Sequence, residues 1–280
     1  MTRLISGHTR LIAHIGVPTE SFKAPMIYNP YFADRDIDVV VVPMGSEPED
    51  FPGLLQGVAR LRNFAGALIT MPHKVTVVGL LDEVSPTVRA CGACNAVRRG
   101  PGGRLIGDMF DGEGFVRGAL GKGRRVAGAS ALVVGAGGVG SAIAASLAHA
   151  GLARLGLFDA DPARAVALAG RLAAEYPALA LATGSNDPAG WQIVVNATPL
   201  GMQAGDPLPM DVARIDPSAF VGEVVMKAEL TPFLAAARAR GCATQVGTDM
   251  LFEQIPAYLG FFGLPVAAPG DLRHLSRISY

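Results

Sequence analysis

Ala131-Leu-Val-Val-Gly135-Ala136-Gly137-Gly138-Val139-Gly140-Ser141-Ala-Ile-Ala144 decides how the chain is read. An apolar run ends in glycine, more glycines follow at once, and a helical pattern opens at Ser141. A G-x-G-x-x-G turn carries meaning when it follows a strand and starts a helix, as here. Gly135 permits the tight turn, Gly137 lets the backbone reach a pyrophosphate, and Gly140 lets helix and strand pack closely, with the helix N-terminus facing the anion. Ala136, Gly138 and Val139 complete that turn. The wider stretch Val126–Ala148 is uncharged and long enough to suggest a membrane span, but its five glycines favour strand, turn and helix. The next strand ends in Asp159, 24 positions after Gly135. That is near the spacing expected of the acid that accepts hydrogen bonds from an adenosine ribose. A carboxylate there repels a 2′-phosphate. Ala160, Asp161 and Pro162 bring no cation close, Arg164 falls inside the following helix, and Asp161 reads as the N-cap of that helix. The expected cofactor is NAD in preference to NADP.

Working outward, apolar runs alternate with helical patterns along most of the chain. Leu11–Ile15, Val39–Val42 and Ala67–Ile69 read as strands, and Phe51–Phe64 repeats apolar residues at helical spacing. After Gly121-Lys122-Gly123 the pattern restarts. Strands are expected at Ala131–Val134, Leu155–Phe158, Leu179–Ala182, Ile193–Asn196 and Val221–Val225, with helices at Ser141–Ala150 and Pro162–Tyr176. Such alternation implies βαβ units and parallel sheets, hence two α/β units. Asp249–Phe262 is helical in pattern.

Composition bounds the function. With 24 Lys plus Arg against 24 Asp plus Glu, the chain has no net charge and lacks the positive surface that nucleic-acid binding requires. Nor is it acidic and disordered, because half of its residues are hydrophobic. The N-terminal stretch lacks the apolar core of a secretory signal, and a cytoplasmic protein without a membrane partner is expected. Cys91-Gly-Ala-Cys94 lacks a second pair or a histidine at ligand spacing, so no metal site is expected. His14 and His73 read as structural, and Arg98, Arg99 and Arg104 as a solvated hairpin. Glycine is the outlier, at 35 of 280 residues against a usual ~7 %.

Lys74 closes Leu68-Ile-Thr70-Met-Pro72-His-Lys74 at the end of an expected strand. Burial or a partner readily changes a lysine's proton affinity, which suits the residue to general acid–base work. Taken alone it reads as a solvated lysine, and further motifs change that reading. Gly92-Ala-Cys-Asn95, Gly107-Asp-Met-Phe-Asp111-Gly112, the Gly135 turn, Asn196-Ala-Thr198-Pro-Leu-Gly201-Met202, Thr231-Pro-Phe-Leu234 and Met250-Leu-Phe-Glu-Gln254 follow in order. In these seven motifs the chain resembles the shikimate/quinate dehydrogenase family, over nearly its whole length.

The resemblance implies an N-terminal α/β substrate-binding domain over residues 1–112 and 248–280, with the C-terminal helices returning to it. A Rossmann-type dinucleotide domain would span 113–247, with substrate and nicotinamide meeting in the cleft between them. It implies Lys74 and Asp111 as the catalytic pair, with Lys74 moving the hydroxyl proton and Asp111 orienting it. Thr70, Asn95 and Gln254 would bind substrate, and Thr198 and Met202 would line the nicotinamide side. The expected reaction is hydride transfer between a nicotinamide cofactor and a shikimate- or quinate-like cyclic hydroxy acid, and a homodimer is the expected assembly. A non-catalytic NAD-binding sensor, or a dehydrogenase for another hydroxylated ring, stand as alternatives.

The departures fall at one end of the substrate site. Where the family carries a pair of hydroxyl residues that holds the substrate carboxylate, this chain has Phe22-Lys23-Ala24, and neither Phe22 nor Ala24 donates a hydrogen bond. Leu68 stands where asparagine is usual, and Met226 where tyrosine is. The acid-binding end is rebuilt, whereas Lys74, Asn95, Asp111 and Gln254 are kept.

Overall fold

The computed structural model describes residues 4–278. By contacts the chain forms two units. The first runs to Val88, includes Gly92–Phe110 and resumes at Ile255, whereas the second holds Arg89–Cys91 and Asp111–Gln254.

In the first unit, β1 (Arg10–Gly16), α1 (Pro25–Asp34), β2 (Val39–Gly45), α2 (Phe51–Ala59) and β3 (Phe64–Ile69) follow one another. Then come β4 (Glu83–Val84), α3 (Pro86–Cys91), which straddles the unit boundary, β5 (Ala96–Arg99) and β6 (Leu105–Asp108). The sheet order is β2-β1-β3-β5-β6-β4. β1 lies parallel to both β2 and β3, while β5 runs antiparallel to β3 and β6. Helix α2 stops at Ala59 rather than continuing to residue 64, because Phe64 already begins β3, and Leu61 is left 44 % exposed. In the β5–β6 hairpin Arg99 and Arg104 are exposed, as expected, and Arg98 is half-buried. The Arg98 guanidinium lies 5.1 Å from the Phe261 ring centroid, and Arg99 donates to the Ala59 carbonyl at 3.2 Å.

The second unit continues with α4 (Asp111–Gly121), β7 (Ser130–Val134), α5 (Gly138–His149), β8 (Arg154–Phe158), α6 (Pro162–Glu175) and β9 (Ala180–Thr183). It proceeds through β10 (Ile193–Asn196), β11 (Phe220–Glu223), α7 (Pro232–Ala239) and β12 (Ala243–Gln245). Helix α8 (Gly247–Phe261) begins in this unit and ends in the first, where α9 (Pro269–Leu275) follows it. All strands of the second sheet are parallel, in the order β12-β11-β10-β7-β8-β9. Read from β9, this is the doubly wound 3-2-1-4-5-6 order, whose ligand crevice lies where the winding reverses, between β7 and β10.

Sequence explains the local choices. β10 is buried throughout and, apart from its last residue Asn196, apolar, as a central parallel strand requires. Helices α6 and α7 start on side-chain caps, Asp161 accepting from the Ala163 amide and Thr231 from the Leu234 amide, each followed by proline at the first helical position. A core of Leu132, Val134, Val194, Val221, Phe233 and Leu234 joins β7, β10, β11 and α7. The uncharged 126–148 stretch forms β7 and α5, and among the described residues no helix is long and apolar enough to cross a membrane.

Candidate active site

In the second unit the glycine turn lies at the carboxyl end of β7. Gly135 has φ +106°, and a Cβ there would sit 2.7 Å from the Ala197 carbonyl carbon, so a larger residue would collide with the segment after β10. At Gly140 a Cβ would fall 1.9 Å from the Gly135 carbonyl oxygen, which is how α5 comes so close to the turn. Gly137 faces open space and is the N-cap of α5, with no side chain capping the helix. Gly138 and Val139 form the first turn, half-buried. The amides at this helix end therefore have no side-chain cap competing for them, and its dipole favours an anion. A dinucleotide pyrophosphate fits this cradle.

Asp159, just past β8, is half-buried and braces the turn. Its Oδ2 accepts from the Ala136 amide at 2.7 Å and its Oδ1 from the Asp161 amide at 2.9 Å. Each oxygen keeps a lone pair for a further donor. Asp161 caps α6, and Arg164 lies 3.5 Å from the Asp161 carboxylate, turned to that acid.

Across the reversal point, the segment after β10 is fixed by its own hydrogen bonds. Asn196 Oδ1 accepts from the Thr198 amide at 3.1 Å and its hydroxyl at 2.6 Å, and Asn196 Nδ2 donates to the Leu200 carbonyl at 3.1 Å. Thr198 is half-buried, and Met202 is 41 % exposed at the end of the segment. Beside Asn196 in the sheet register lies Glu223, 1 % exposed. Its Oε1 accepts from the Thr231 hydroxyl at 2.6 Å, its Oε2 has no partner, and burial pushes its carboxyl above the usual range. No sequence signal distinguished Glu223, because its burial depends on its pairing beside Asn196 and on the Thr231 hydroxyl.

The first unit holds Thr70, Lys74 and Asn95, the second Asp111 and Gln254. Thr70 follows β3, with its amide donating to Ile15 and its carbonyl accepting from the His73 amide. Lys74 is half-buried and its carbonyl accepts from the Cys94 amide at 2.8 Å. Asn95 is tied on both sides: its carbonyl accepts from the Ile69 amide at 2.8 Å and its Oδ1 from the Phe110 amide at 3.0 Å. Its Nδ2, in a side chain 1 % exposed, has no partner. Asp111 opens α4, 4 % exposed, at the helix end where a carboxylate is favoured. Gln254, on α8 and 5 % exposed, ends in an Oε1 without a partner. The α4 helix packs tightly on α5 and α8: a Cβ at Gly112 would lie 2.1 Å from the Ala142 carbonyl oxygen, and one at Gly114 2.4 Å from that of Met250.

Comparison with known proteins turns these resemblances into membership. Residues 15–97 match the model of the shikimate dehydrogenase substrate binding domain. The chain is 37 % identical over 265 residues to the shikimate dehydrogenase (NADP(+)) of Acidiphilium cryptum, covering 93 % of each. The chain belongs to the shikimate dehydrogenase family. The solved shikimate 5-dehydrogenase of Listeria monocytogenes, in complex with shikimate and NAD, matches it with a TM-score of 0.88 at 25 % identity, over 98 % of this chain and 99 % of that one. The quinate dehydrogenase of Corynebacterium glutamicum, in complex with NAD, matches with a TM-score of 0.85 at 32 % identity, over 95 % and 98 %. As a shikimate dehydrogenase family member the chain is an oxidoreductase of the shikimate/quinate class that uses a nicotinamide cofactor.

Within this family frame, one contact was invisible in the sequence. The His14 ring, at the carboxyl end of β1, stacks on Phe22 with centroids 4.1 Å apart. Both side chains are buried, and His14 Nδ1 has no hydrogen-bonding partner. Burial, with a smaller contribution from the Lys74 charge, lowers the His14 pKa to about 3. His73 is buried as well, stacked on Phe51 and bonded through Nε2 to the Ser46 carbonyl at 2.9 Å. Cys91 and Cys94 are buried and not joined in a disulfide, and among the described residues no group of histidine, cysteine and acid is placed to hold a metal.

Proposed function

We propose that the protein interconverts a ring hydroxyl and its ketone in a shikimate- or quinate-like small molecule, with NAD in preference to NADP. The observation that carries this reading is the pair of buried carboxamides, each with one orphaned polar atom. Asn95 Nδ2 is a donor and Gln254 Oε1 an acceptor, and neither has a protein partner. An unmet buried polar group costs on the order of 1–3 kcal/mol. Hydroxyls of a polyhydroxylated ring, which both donate and accept, are the chemistry that repays that cost at either atom.

In this reading the first unit supplies Thr70, Lys74 and Asn95 to the substrate, and the second, which also holds Asp111 and Gln254, takes the dinucleotide. The Gly135–Gly140 turn would hold the pyrophosphate of a nicotinamide dinucleotide, which would supply the hydride acceptor or donor. Lys74 Nζ exchanges one proton with the reacting oxygen, as two electrons and a hydrogen leave or reach the ring carbon as hydride. Asp111, buried at the start of α4, is the second catalytic group of this reading, and Thr70 supplies a hydroxyl to the substrate. Thr198 and Met202 would line the nicotinamide side, and the bonds of Asn196 hold that segment in place. The NAD preference rests on Asp159: its oxygens accept further donors such as ribose hydroxyls and repel a 2′-phosphate, while Arg164 is engaged by Asp161. The test is absorbance of the reduced nicotinamide during turnover of shikimate, quinate and their neutral analogues with each cofactor. Turnover faster with NAD is expected, and cofactor binding without turnover of any of these rings would overturn the reading.

A further inference from the structure

Ligands of open α/β sheets bind beyond the carboxyl ends of the strands. In the first unit that end is formed by the parallel strands β1 and β3, and three observations converge there. First, His14 near the end of β1 stacks on Phe22, which follows β1 in the connection to α1. Second, a Cβ at Gly16 would meet Thr70 Cγ2 at 2.5 Å and Phe22 Cζ at 3.3 Å, so the phenyl ring reaches the strand end where the Thr70–Lys74 segment begins. Third, His14 Nδ1 is buried and unpartnered, in a side chain only 7 % exposed, and the ring senses the Lys74 charge. Ala24 and Leu68, each less than a tenth exposed, add only apolar surface nearby in the chain and in the sheet.

We propose that this end of the site is built for an uncharged part of the substrate, packed on the Phe22 ring and hydrogen-bonded to His14 Nδ1. The fitting chemical class is a polyhydroxylated ring bearing a hydroxyl, hydroxymethyl, amide or ester there instead of an ionised carboxylate. The inference rests on the dehydrogenase reading and specifies its substrate. An ionised carboxylate placed against a phenyl face and an uncharged imidazole loses hydration without regaining donors of comparable strength, and that loss is large. A neutral hydroxyl or amide keeps its apolar contact with Phe22 and satisfies the one orphaned nitrogen. The neutral state of His14 is consistent with this, since a cationic imidazole would instead attract an anion.

The experiment compares shikimate with its methyl ester, which has the same ring and hydroxyls without the charge. Steady-state kcat/KM is measured for both with saturating NAD, and each ligand is also titrated calorimetrically into the NAD-loaded chain. The ester is expected to exceed the acid by at least about tenfold in kcat/KM and in affinity, since one lost charge-assisted bond is worth about that factor. In Phe22→Ser with Ala24→Ser the preference is expected to move toward the acid by a similar factor, whereas the ratio in the native chain needs no variant to fold. Equal or better use of the acid by the native chain overturns the inference. If neither ligand turns over with either cofactor, the dehydrogenase reading fails on its own. The calorimetric ranking then decides this one: tighter ester binding supports it, and tighter acid binding, equal affinity or no binding of either overturns it.

Discussion

Replacing His14 by leucine separates the energetics of the β1 end from any catalytic role. The folded chain holds His14 neutral, with a pKa of about 3 set first by burial and then by the Lys74 charge. In the unfolded chain an ordinary histidine titrates near 6.5. The unfolded state therefore takes up a proton that the folded state refuses, and acid favours unfolding. The contribution is fully present above pH ~6.5, erodes as pH falls, and levels off below about 3. At ~1.4 kcal/mol per pH unit, the native chain is expected to lose on the order of 2–3 kcal/mol from this one group between pH 7 and pH 4.5. No discount for solvent screening is due, because the side chain is 7 % exposed.

The assay must report on the correct unit. The single tryptophan, Trp191, lies in the second unit, so its fluorescence does not follow β1. Urea series at pH 7 and pH 4.5, read by hydrogen-exchange mass spectrometry on peptides spanning β1 and β3, isolate the first unit. His14→Leu is expected to flatten the pH dependence of the midpoint by the equivalent of about 2–3 kcal/mol, whatever its effect at pH 7. The comparison between two pH values cancels the lost stacking on Phe22, which is common to both. A variant whose midpoint falls with acid as steeply as that of the native chain would refute the claim that His14 is buried neutral.

Four further expectations follow from the site. Lys74→Ala should lower kcat by about 10²–10⁴ while leaving NAD affinity intact, as loss of a proton-transfer group does; equal losses in both assign Lys74 to binding alone. Asp159→Ala combined with Ala160→Arg should move the NADP/NAD ratio of kcat/KM by about 10², the worth of one charge-assisted bond plus relief of repulsion, and an unchanged ratio removes Asp159 from the ribose. Gly140→Ala drives a Cβ into the Gly135 carbonyl and should cost about 1–3 kcal/mol by thermal melting and weaken NAD, whereas a variant that melts and binds like the native chain would show that α5 can shift. Glu223, raised by burial, is more readily protonated when folded than unfolded, so its contribution is present at low pH and lost as pH rises through its folded value. Glu223→Gln should therefore raise the melting temperature more at pH 8 than at pH 5, and an equal shift at both would place the ionised form in the fold.

How much of this could be read in advance follows from the range of each interaction. The Gly135 turn, β7, α5, β10 and the Asp161 cap were readable because the physics that dictates them is local: a positive φ, a close approach between chain neighbours, a side chain that reaches its own helix end. Phe51–Phe64 misled for the converse reason. Leu61 and Phe64 continue the helical spacing of α2, yet the chain turns after Ala59 and gives Phe64 to β3, since pairing with β1 outweighs five more residues of helix. The bracing role of Asp159 sits between these cases. Its distance from Gly135 suggested a ribose acid, but the bond to the Ala136 amide depends on β7 and β8 lying side by side. The stacking of His14 on Phe22 lay beyond reach, because it joins a strand to the connection after it and neither residue has a signature alone.

That contact also changes what the absence of net charge means. With 24 cationic and 24 acidic side chains, no overall field draws an anionic ligand to the protein. At the dinucleotide end the work falls to placed dipoles, the side-chain-free N-terminus of α5 and the amides of a turn that Asp159 holds in shape. In the first unit the same economy appears in side chains: Asn95 Nδ2 and His14 Nδ1 belong to neutral groups, each buried and each missing one partner. Buried neutral groups discriminate by what they leave unpaired rather than by attraction at a distance. A ligand lacking one hydroxyl leaves a desolvated atom unmet, and rejection by such a site reaches factors of 10⁴–10⁵ where a hydrophobic pocket manages only about 10–200. Selectivity here should therefore track the number and placement of substrate hydroxyls and change little with ionic strength.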